Sequence, residues 1–312
     1  MTTIVFGGSG FIGRRLVSRL HLLGEEVISA DLVLPPSEVA SAASSRHISC
    51  DLRRFDEVVE LLIGIRPQRS VNLAYMLGSE HPPHRAQQLN VIGMDNFFEA
   101  SRLAQVDHVV FGSSLAVNGL QTSFGRRAVT EQDSLLGSTY QYATHKVFNE
   151  WQAADYRAKH GMRITSVRPA NVAGHDKIFG SVDHVKCIVE PALGRAVRFP
   201  HADAMRCPVH VDDVAEAFAR ITGSTPDHEV YNTGGNTTSL GDLAKLVRSL
   251  IPGANIQFDA QAGARDGSTN YLIDNSRLRG EFDMIPMGLR ALVSRVANDA
   301  RAEHGLAPIN GL

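Results

Sequence analysis

Cysteine, long apolar runs and blocks of like charge are all scarce in this chain of 312 residues, and each scarcity excludes a class of protein. The cysteines, Cys50, Cys187 and Cys207, are odd in number and widely spaced, so they predict neither a disulfide framework nor a zinc site. No stretch approaches the roughly 18 apolar residues of a membrane-spanning helix, and the start MTTIVFGG lacks the cationic lead of a signal peptide. The cytoplasm is therefore the expected location.

Charge is close to balanced, with 31 basic and 33 acidic residues and a formal net charge of −2. Because no cluster of Lys or Arg is present, neither nucleic acid nor an anionic membrane is an expected partner. None of the 13 histidines shows the tight spacing of zinc ligands, so no metal is predicted. A composition that is 43% hydrophobic and 21% charged is typical of a globular protein.

The first half of the chain alternates short apolar runs with amphipathic stretches, which is typical of parallel strands joined by crossover helices. Strands are predicted near 2–8, 26–31, 46–51, 69–74, 107–113 and 163–169. Helices are predicted between them, near 11–23, 55–65, 85–104 and 139–160. Right-handed crossovers would build a Rossmann-type, doubly wound α/β sheet that binds ligands at the carboxyl ends of its strands.

A glycine-rich turn follows the first predicted strand. Gly7, Gly10 and Gly13 in GGSGFIG allow a tight turn that brings backbone N–H groups against a pyrophosphate at a helix N-terminus. Phe11 and Ile12 belong to the same loop and are predicted cofactor contacts. The loop therefore predicts a dinucleotide site.

An acidic residue at the end of the second strand specifies the dinucleotide. Asp31 lies 18 residues past Gly13, where a carboxylate accepts hydrogen bonds from the adenine-ribose hydroxyls and repels a 2′-phosphate. No Arg or Lys follows until Arg46. The sequence therefore favours NAD over NADP.

After about residue 170 the alternation loosens. We predict an NAD-binding Rossmann domain over 1–174, with 208–235 returning to its sheet as strand and helix (208–221) and strand (229–235). Residues 175–207 and 236–312 would form a smaller mixed, substrate-binding lobe.

The segment YQYATHK places Tyr142 and Lys146 four residues apart on a predicted helix, so both side chains share one face. A phenol has an ordinary pKa near 10, and an adjacent ammonium and a cationic nicotinamide ring both favour the phenolate. Tyr142 can then take a hydroxyl proton as hydride leaves for NAD, or return it in reverse. Tyr140 is a weaker candidate because the residue four positions on is the uncharged Thr144.

These motifs, in this order over nearly the whole chain, resemble the extended branch of the short-chain dehydrogenase/reductase family. This NAD-dependent epimerase/dehydratase-like branch includes nucleotide-sugar epimerases and threonine dehydrogenase. The resemblance implies a homodimer that packs through the Tyr142 helix and the long helix before it. It also implies further cofactor contacts, which are Asp51, Leu52, Leu73, Ala74, Tyr75, Asn90, Tyr142, Lys146, Pro169, Asn171 and Val172.

The segment FGSSLAVNG resembles the family's Ser-Ser-x-x-Val-Tyr-Gly. The resemblance makes Ser114 the third catalytic residue, which hydrogen-bonds the substrate oxygen, with Ser113 in support. Asn118 stands where many relatives have Tyr, and an altered substrate-facing wall is expected there.

Two arginines bear on the substrate. Arg206 and Arg265 match positions that contact the diphosphate in nucleotide-sugar relatives, and guanidinium suits phosphate. The segment FPHADAMRCPVHV, however, lacks the Gly-x-Gly and Arg-Asp-aromatic of such enzymes, because Cys207 and Pro208 follow Arg206. These departures favour a small sugar-like or hydroxy-acid substrate, held by an arginine and by Asn171.

Three hypotheses stay open. The first is an NAD-dependent dehydrogenase acting on such a small substrate, and the alternative is a nucleotide-sugar 4-epimerase that keeps NAD tightly bound. A dehydratase is disfavoured because Leu115 and Ala116 follow Ser114, where those relatives carry Asp-Glu. A non-catalytic NAD-binding protein on the same fold is the third hypothesis, since fold does not fix function.

Overall fold

The computed structural model describes residues 1–33, 46–77, 81–135, 140–259 and 270–309. In chain order, its strands are β1 (Thr2–Phe6), β2 (Glu26–Asp31), β3 (Arg46–Ser49), β4 (Arg69–Asn72), β5 (His108–Gly112), β6 (Ile164–Arg168), β7 (Asn171–Ala173), β8 (Val197–Phe199), β9 (Met205–Arg206), β10 (Pro208–His210), β11 (Val230–Asn232), β12 (Thr238–Ser239) and β13 (Ile256–Phe258). The α-helices are α1 (Gly13–Leu22), α2 (Phe55–Ile65), α3 (Pro83–Gln87), α4 (Met94–Leu103), α5 (Gln141–His160), α6 (Asp183–Ala192), α7 (Val211–Gly223), α8 (Leu240–Leu250), α9 (Ser276–Phe282) and α10 (Leu289–Glu303).

The centre of the fold is a seven-stranded parallel sheet in the order β11-β6-β5-β4-β1-β2-β3. The chain builds outward from β1 through β2 and β3, then returns to place β4 on the other side of β1. The carboxyl ends of β1 and β4 therefore border the switch point at which such sheets bind ligands. The predicted α/β fold is confirmed.

The six predicted strands are confirmed, and β11 adds the seventh by pairing with β6. The predicted return of 208–221 to this sheet is wrong for its strand, because β10 pairs with β7 in a separate two-stranded sheet. The edge of β6 that β10 would need is already occupied by β11. Helix α7 does return to the sheet, where it packs beside α1 on one face. The proposed domain boundaries stay predictions.

Apolar side chains cover both faces of the central sheet. One face carries Phe97, Phe98 and Phe111, in which the rings of Phe98 and Phe111 meet edge to face at 5.4 Å. The other carries Phe218 and Tyr231. A further core joins α6, α8 and α10 around apolar residues such as those of Leu240–Leu250. Burial of these aromatic and branched side chains fixes the sheet between its helices.

The predicted helix 85–104 contains a π-helical turn, Gln88–Gly93, between α3 and α4. Such turns displace backbone carbonyls from the regular ladder. The carbonyl of Asn90 accepts a hydrogen bond from Asn149 of α5 at 2.8 Å. The π turn thus ties the segment before α4 to the helix that carries Tyr142.

Within the described residues, no helix combines the length and apolar character needed to cross a bilayer.

Candidate active site

The loop between β1 and α1 has the close backbone approach that its glycines predict. Gly7 has φ +75°, and a Cβ there would lie 2.5 Å from the backbone nitrogen of Ala74. A Cβ on Gly13 would lie 2.8 Å from the carbonyl carbon of Gly7. Because any larger residue would force the loop open, these positions require glycine for a tight cradle.

Asp31 lies beside this loop at the end of β2. Its Oδ2 accepts the backbone N–H of Ser9 at 3.1 Å, and its Oδ1 accepts that of Val33 at 3.3 Å. The Ser9 hydroxyl is buried and has no hydrogen-bond partner among the described residues. A glycine cradle, an acceptor at the ribose position and an unsatisfied buried hydroxyl together fit a dinucleotide.

A cleft of about 1160 Å³ opens at the carboxyl ends of the strands. It brings together most of the residues predicted from the sequence. Those that line it are Gly7, Gly10, Phe11, Ile12, Gly13, Asp31, Leu52, Leu73, Ala74, Tyr75, Ser114, Tyr142, Lys146, Pro169, Asn171 and Val172.

Two predicted cofactor residues, Asp51 and Asn90, are not among those that line the cleft. The carboxylate of Asp51 is held by the guanidinium of Arg53, which also keeps its pKa below the usual range, while its neighbour Leu52 lines the cleft. The side chain of Asn90 is buried and clasps the backbone of Met76, accepting from its N–H at 2.9 Å and donating to its carbonyl at 3.0 Å. Asn90 therefore positions the end of the segment that carries Tyr75.

Tyr142 lies on the first turn of α5 and faces the cleft. Burial raises the pKa of its phenol to about 12, while a hydrogen bond with Ser114 acts in the opposite direction. The ring of Tyr140 stacks on it at a centroid distance of 6.1 Å. Ser114 and Tyr142 thus both line the cleft, and Ser114 lies close enough to affect the pKa of the phenol.

Lys146 lies one turn farther along the same helix and is nearly fully buried. Its Nζ lies 3.3 Å from the centroid of the Tyr75 ring and donates to the carbonyl of Gly112. Burial holds the pKa of Lys146 well below its usual range, and the charge of Glu150 partly offsets this effect. The Nζ of Lys146 lies 5.8 Å from the centroid of the Tyr142 ring. At this distance it does not offset the rise in the pKa of the Tyr142 phenol that burial causes.

A buried ion pair supports the catalytic helix from behind. Arg168, at the end of β6, donates to both carboxylate oxygens of Glu150 on α5, at 2.8 and 2.6 Å. The hydroxyl of Ser113 donates to the same carboxylate at 2.5 Å. Because one carboxylate joins β5, β6 and α5, it fixes the helix relative to the strand ends.

Asn118 belongs to this buried layer, so the expected change in the substrate-facing wall is wrong. Its side chain is fully buried and donates to the carbonyls of Asp133 and Ser134 at 3.2 and 3.3 Å. Its Oδ1 faces Arg168 at 3.5 Å. An amide suits this position because both its donor and its acceptor find partners.

The two arginines of the substrate hypothesis fall in different places. Arg206 is buried in a bidentate ion pair with Asp183, donates to the carbonyl of Met205 at 2.7 Å, and is not among the residues that line the cleft. Burial raises the pKa of the Asp183 carboxyl, but hydrogen bonds from His184 and Arg206 outweigh this effect and leave the pKa well below its usual range. Arg265 lies outside the described residues. A substrate role for either arginine stays a prediction.

The loop after β7, which no sequence motif singled out, forms part of the cleft wall. Asp176, Lys177, Ile178 and Phe179 all line the cleft, and Arg14 of α1 pairs with Asp176 across it. The signal was available, because polar residues directly after VRPANVAG follow a strand at the ligand-binding edge.

Comparison with known proteins agrees with this geometry. Residues 3–234 match the family model described as the NAD dependent epimerase/dehydratase family. A UDP-glucose 4-epimerase of Mycolicibacterium smegmatis is 31% identical over 265 residues, which are 80% of this chain and 83% of that protein.

Solved structures share the whole fold. The NAD complex of a UDP-glucose 4-epimerase from Thermus thermophilus is 25% identical, with a TM-score of 0.84 over 96% of this chain and 99% of that one. An L-threonine dehydrogenase from Cupriavidus necator, 21% identical, has the same fold with a TM-score of 0.82 over 97% of this chain and 100% of that one. The chain therefore belongs to the NAD-dependent epimerase/dehydratase family, within the extended short-chain dehydrogenases/reductases.

Proposed function

We propose that the protein is an NAD-dependent dehydrogenase that interconverts a secondary alcohol and a ketone in a small sugar-like or hydroxy-acid substrate. The observation that carries the proposal is that Ser114, Tyr142 and Lys146 line the same cleft as the glycine loop, with Tyr142 and Lys146 one helical turn apart on α5. An acid/base group and a hydroxyl donor must lie together at the cofactor for hydride transfer at a carbinol carbon.

In the proposed reaction, the hydroxyl of Ser114 holds the substrate oxygen and Tyr142 exchanges its proton. Bound NAD supplies the hydride acceptor and a cationic ring. In ketone reduction, the neutral phenol favoured by burial donates its proton to the carbonyl oxygen. In alcohol oxidation, the phenolate accepts the hydroxyl proton, and Lys146, where it carries its proton, favours that phenolate.

The support for a small substrate comes from the side chains of Arg206 and Asn171. Arg206, a candidate diphosphate ligand, is committed to Asp183 and buried. The Oδ1 of Asn171 accepts the backbone N–H of Cys207 at 2.8 Å, which leaves its amide nitrogen to donate into the cleft. One amide and one hydroxyl suit a compact polyhydroxy or hydroxy-acid substrate.

The epimerase alternative also has specific support. The relative that is 31% identical over 80% of this chain is a UDP-glucose 4-epimerase. An epimerase would use the same Ser114, Tyr142 and Lys146, but would reduce its keto intermediate before release.

A substrate panel separates the two functions. Purified protein is incubated with NAD and with polyols, sugar acids, hydroxy acids and hydroxy amino acids, and NADH is followed by absorbance at saturating cofactor. We expect stoichiometric NADH formation with one substrate class. No NADH from any of these compounds, together with interconversion of UDP-sugars by protein that retains NAD through gel filtration, would establish the epimerase instead.

We extend the proposal to a cytoplasmic homodimer. The three cysteines are free and buried, as suits a reducing compartment.

On α5, Phe148 and Trp151 are 46% and 66% exposed, and Ile92 and Leu103 of the neighbouring helices are also exposed. Exposed apolar surface of this kind marks interfaces. Sedimentation should give a dimer for the natural chain and a monomer for Trp151→Glu; a natural chain that is monomeric at micromolar concentration contradicts the proposal.

A further inference from the structure

Lys177 lies in the cleft on a separate element from the catalytic helix. It follows β7 in a tight turn, in which its N–H donates to the carbonyl of Gly174 at 3.2 Å. Its side chain lines the same cleft as Ser114 and Tyr142. Lys177 belongs neither to the glycine motif nor to the Tyr-x-x-x-Lys pair, so neither motif assigns it a role.

The hydrogen bonds of Lys177 are incomplete. Its ammonium has three donors, and one donates to the carbonyl of Val172 at 2.7 Å. The same carbonyl also faces Nε2 of His184 at 3.1 Å, so it is already shared. Across the described ranges, no carboxylate lies within ion-pair distance of the Lys177 ammonium.

The nearby carboxylates are committed to other cations. Asp176 is paired with Arg14 and Arg15, whose Nη2 lies 2.7 Å from Asp176 Oδ1. Asp183 is held by Arg206 and accepts the backbone N–H of His184 at 2.7 Å. Lys177 is thus a cation at a partly desolvated position that forms no ion pair within the described part of the chain.

A buried charge is costly unless it is paired, and cations in ligand clefts are commonly paired by the ligand. Burial lowers the pKa of Lys177 to about 8, with the charge of Asp183 opposing the shift, so the cation predominates at neutral pH. The cofactor's pyrophosphate has its own site at the glycine loop and the N-terminus of α1. The remaining anion to be expected in the cleft belongs to the substrate.

We propose that Lys177 binds an anionic group of the substrate, a carboxylate or a phosphate, and so selects anionic substrates. This inference rests on the proposed function and adds the charge of the substrate to it. One ammonium donor stays on Val172, and the two others reach the anion. Asp183, His184 and Arg206 act behind it by holding the β7 loop and the start of α6 together.

The test compares Lys177→Met, which keeps the length of the side chain and removes its charge, with Lys177→Arg, which keeps the charge. Lys186→Met is the matched control, because Lys186 is an exposed lysine on α6 that does not line the cleft. With the anionic substrate found in the panel, K177M should raise KM by roughly 10- to 100-fold, as loss of a charge-assisted hydrogen bond predicts. K177R should recover most of this loss, and K186M should match the natural chain.

A neutral analogue of the substrate gives the second arm. If Lys177 pairs with the anion, removing the anion and removing the lysine should not be additive, so the analogue should have a similar KM with the natural chain and with K177M. The Kd for NAD should be unchanged in all variants. Equal KM values for the anionic substrate in K177M and the natural chain, or a raised Kd for NAD alone, would overturn the proposal.

Direct anion binding keeps this test independent of turnover. Calorimetric titration of the NAD-loaded protein with malonate and with inorganic phosphate asks which anion binds and whether K177M abolishes the binding. Loss in K177M with retention in K186M supports the role of Lys177 even where the substrate panel yields no NADH. Binding of both anions unchanged by K177M contradicts it while leaving the dehydrogenase proposal standing.

Discussion

Replacing Tyr142 by Phe is expected to lower kcat by roughly 10²- to 10⁴-fold, the usual contribution of a positioned acid/base group. The substitution removes only the hydroxyl that would exchange the substrate proton in the proposed reaction. The ring, its stacking on Tyr140 and its edge contact with Tyr75 at 5.5 Å all remain. The Kd for NAD, measured by fluorescence titration, should therefore change little.

Tyr140→Phe is the matched control for this experiment. It removes the neighbouring phenol from the same helix end, and its kcat should stay close to that of the natural chain. Turnover by Y142F at the natural rate would show that another group exchanges the proton. A parallel loss in both variants would instead indicate that the start of α5 had been displaced.

Replacing Arg168 by Met is expected to destabilise the protein by about 3–5 kcal/mol, because it leaves the Glu150 carboxylate buried without its cation. Arg168 is only 2% exposed, and its two nitrogens hold both oxygens of Glu150. Urea unfolding followed by circular dichroism measures the free energy of unfolding. The double variant Glu150→Gln with Arg168→Met should recover part of the loss, since the carboxylate that lost its cation is also removed.

Lys159→Met provides the comparison at the surface. Lys159 and Asp155 form an ion pair on the outer face of α5, with side chains 66% and 69% exposed, and exposed pairs of this kind contribute little. We expect a much smaller loss of unfolding free energy for K159M than for R168M. Equal losses in the two variants would show that the buried pair does not fix α5 to β6. R168M should also raise the KM of the substrate, because Glu150 holds Ser113 beside Ser114.

Arg206 and Lys177 show that sequence patterns do not predict which cations are paired in the folded chain. A guanidinium in a loosely matched segment indicated an anion site, but Asp183, 23 residues away in the sequence, lies opposite it in the folded chain and accepts from its Nε and Nη2. Lys177 carried no motif and yet lines the cleft. Which cation is paired depends on packing between segments, and periodicity contains no information about that.

The pKa of Tyr142 also depends on packing between distant segments. The four-residue spacing correctly placed Lys146 on the same helix face, and the spacing alone predicts a lowered phenol pKa. The fold buries the phenol and sets the ammonium over Tyr75, so the protein's own groups raise the pKa to about 12. Desolvation depends on all surrounding segments, whereas spacing along a helix does not.

The sequence by itself determined the elements and the motifs: the strands of the first half, the glycine cradle, Asp31 and the Tyr142 helix. These follow from local periodicity, turn chemistry and short spacings, which act within a few residues of each other. Only the tertiary structure decided that β10 pairs with β7, that Asn118 is buried against Arg168, and that Arg206 is neutralised while Lys177 faces the cleft. Those outcomes depend on contacts between distant segments, where burial and competition for partners decide which charges remain available.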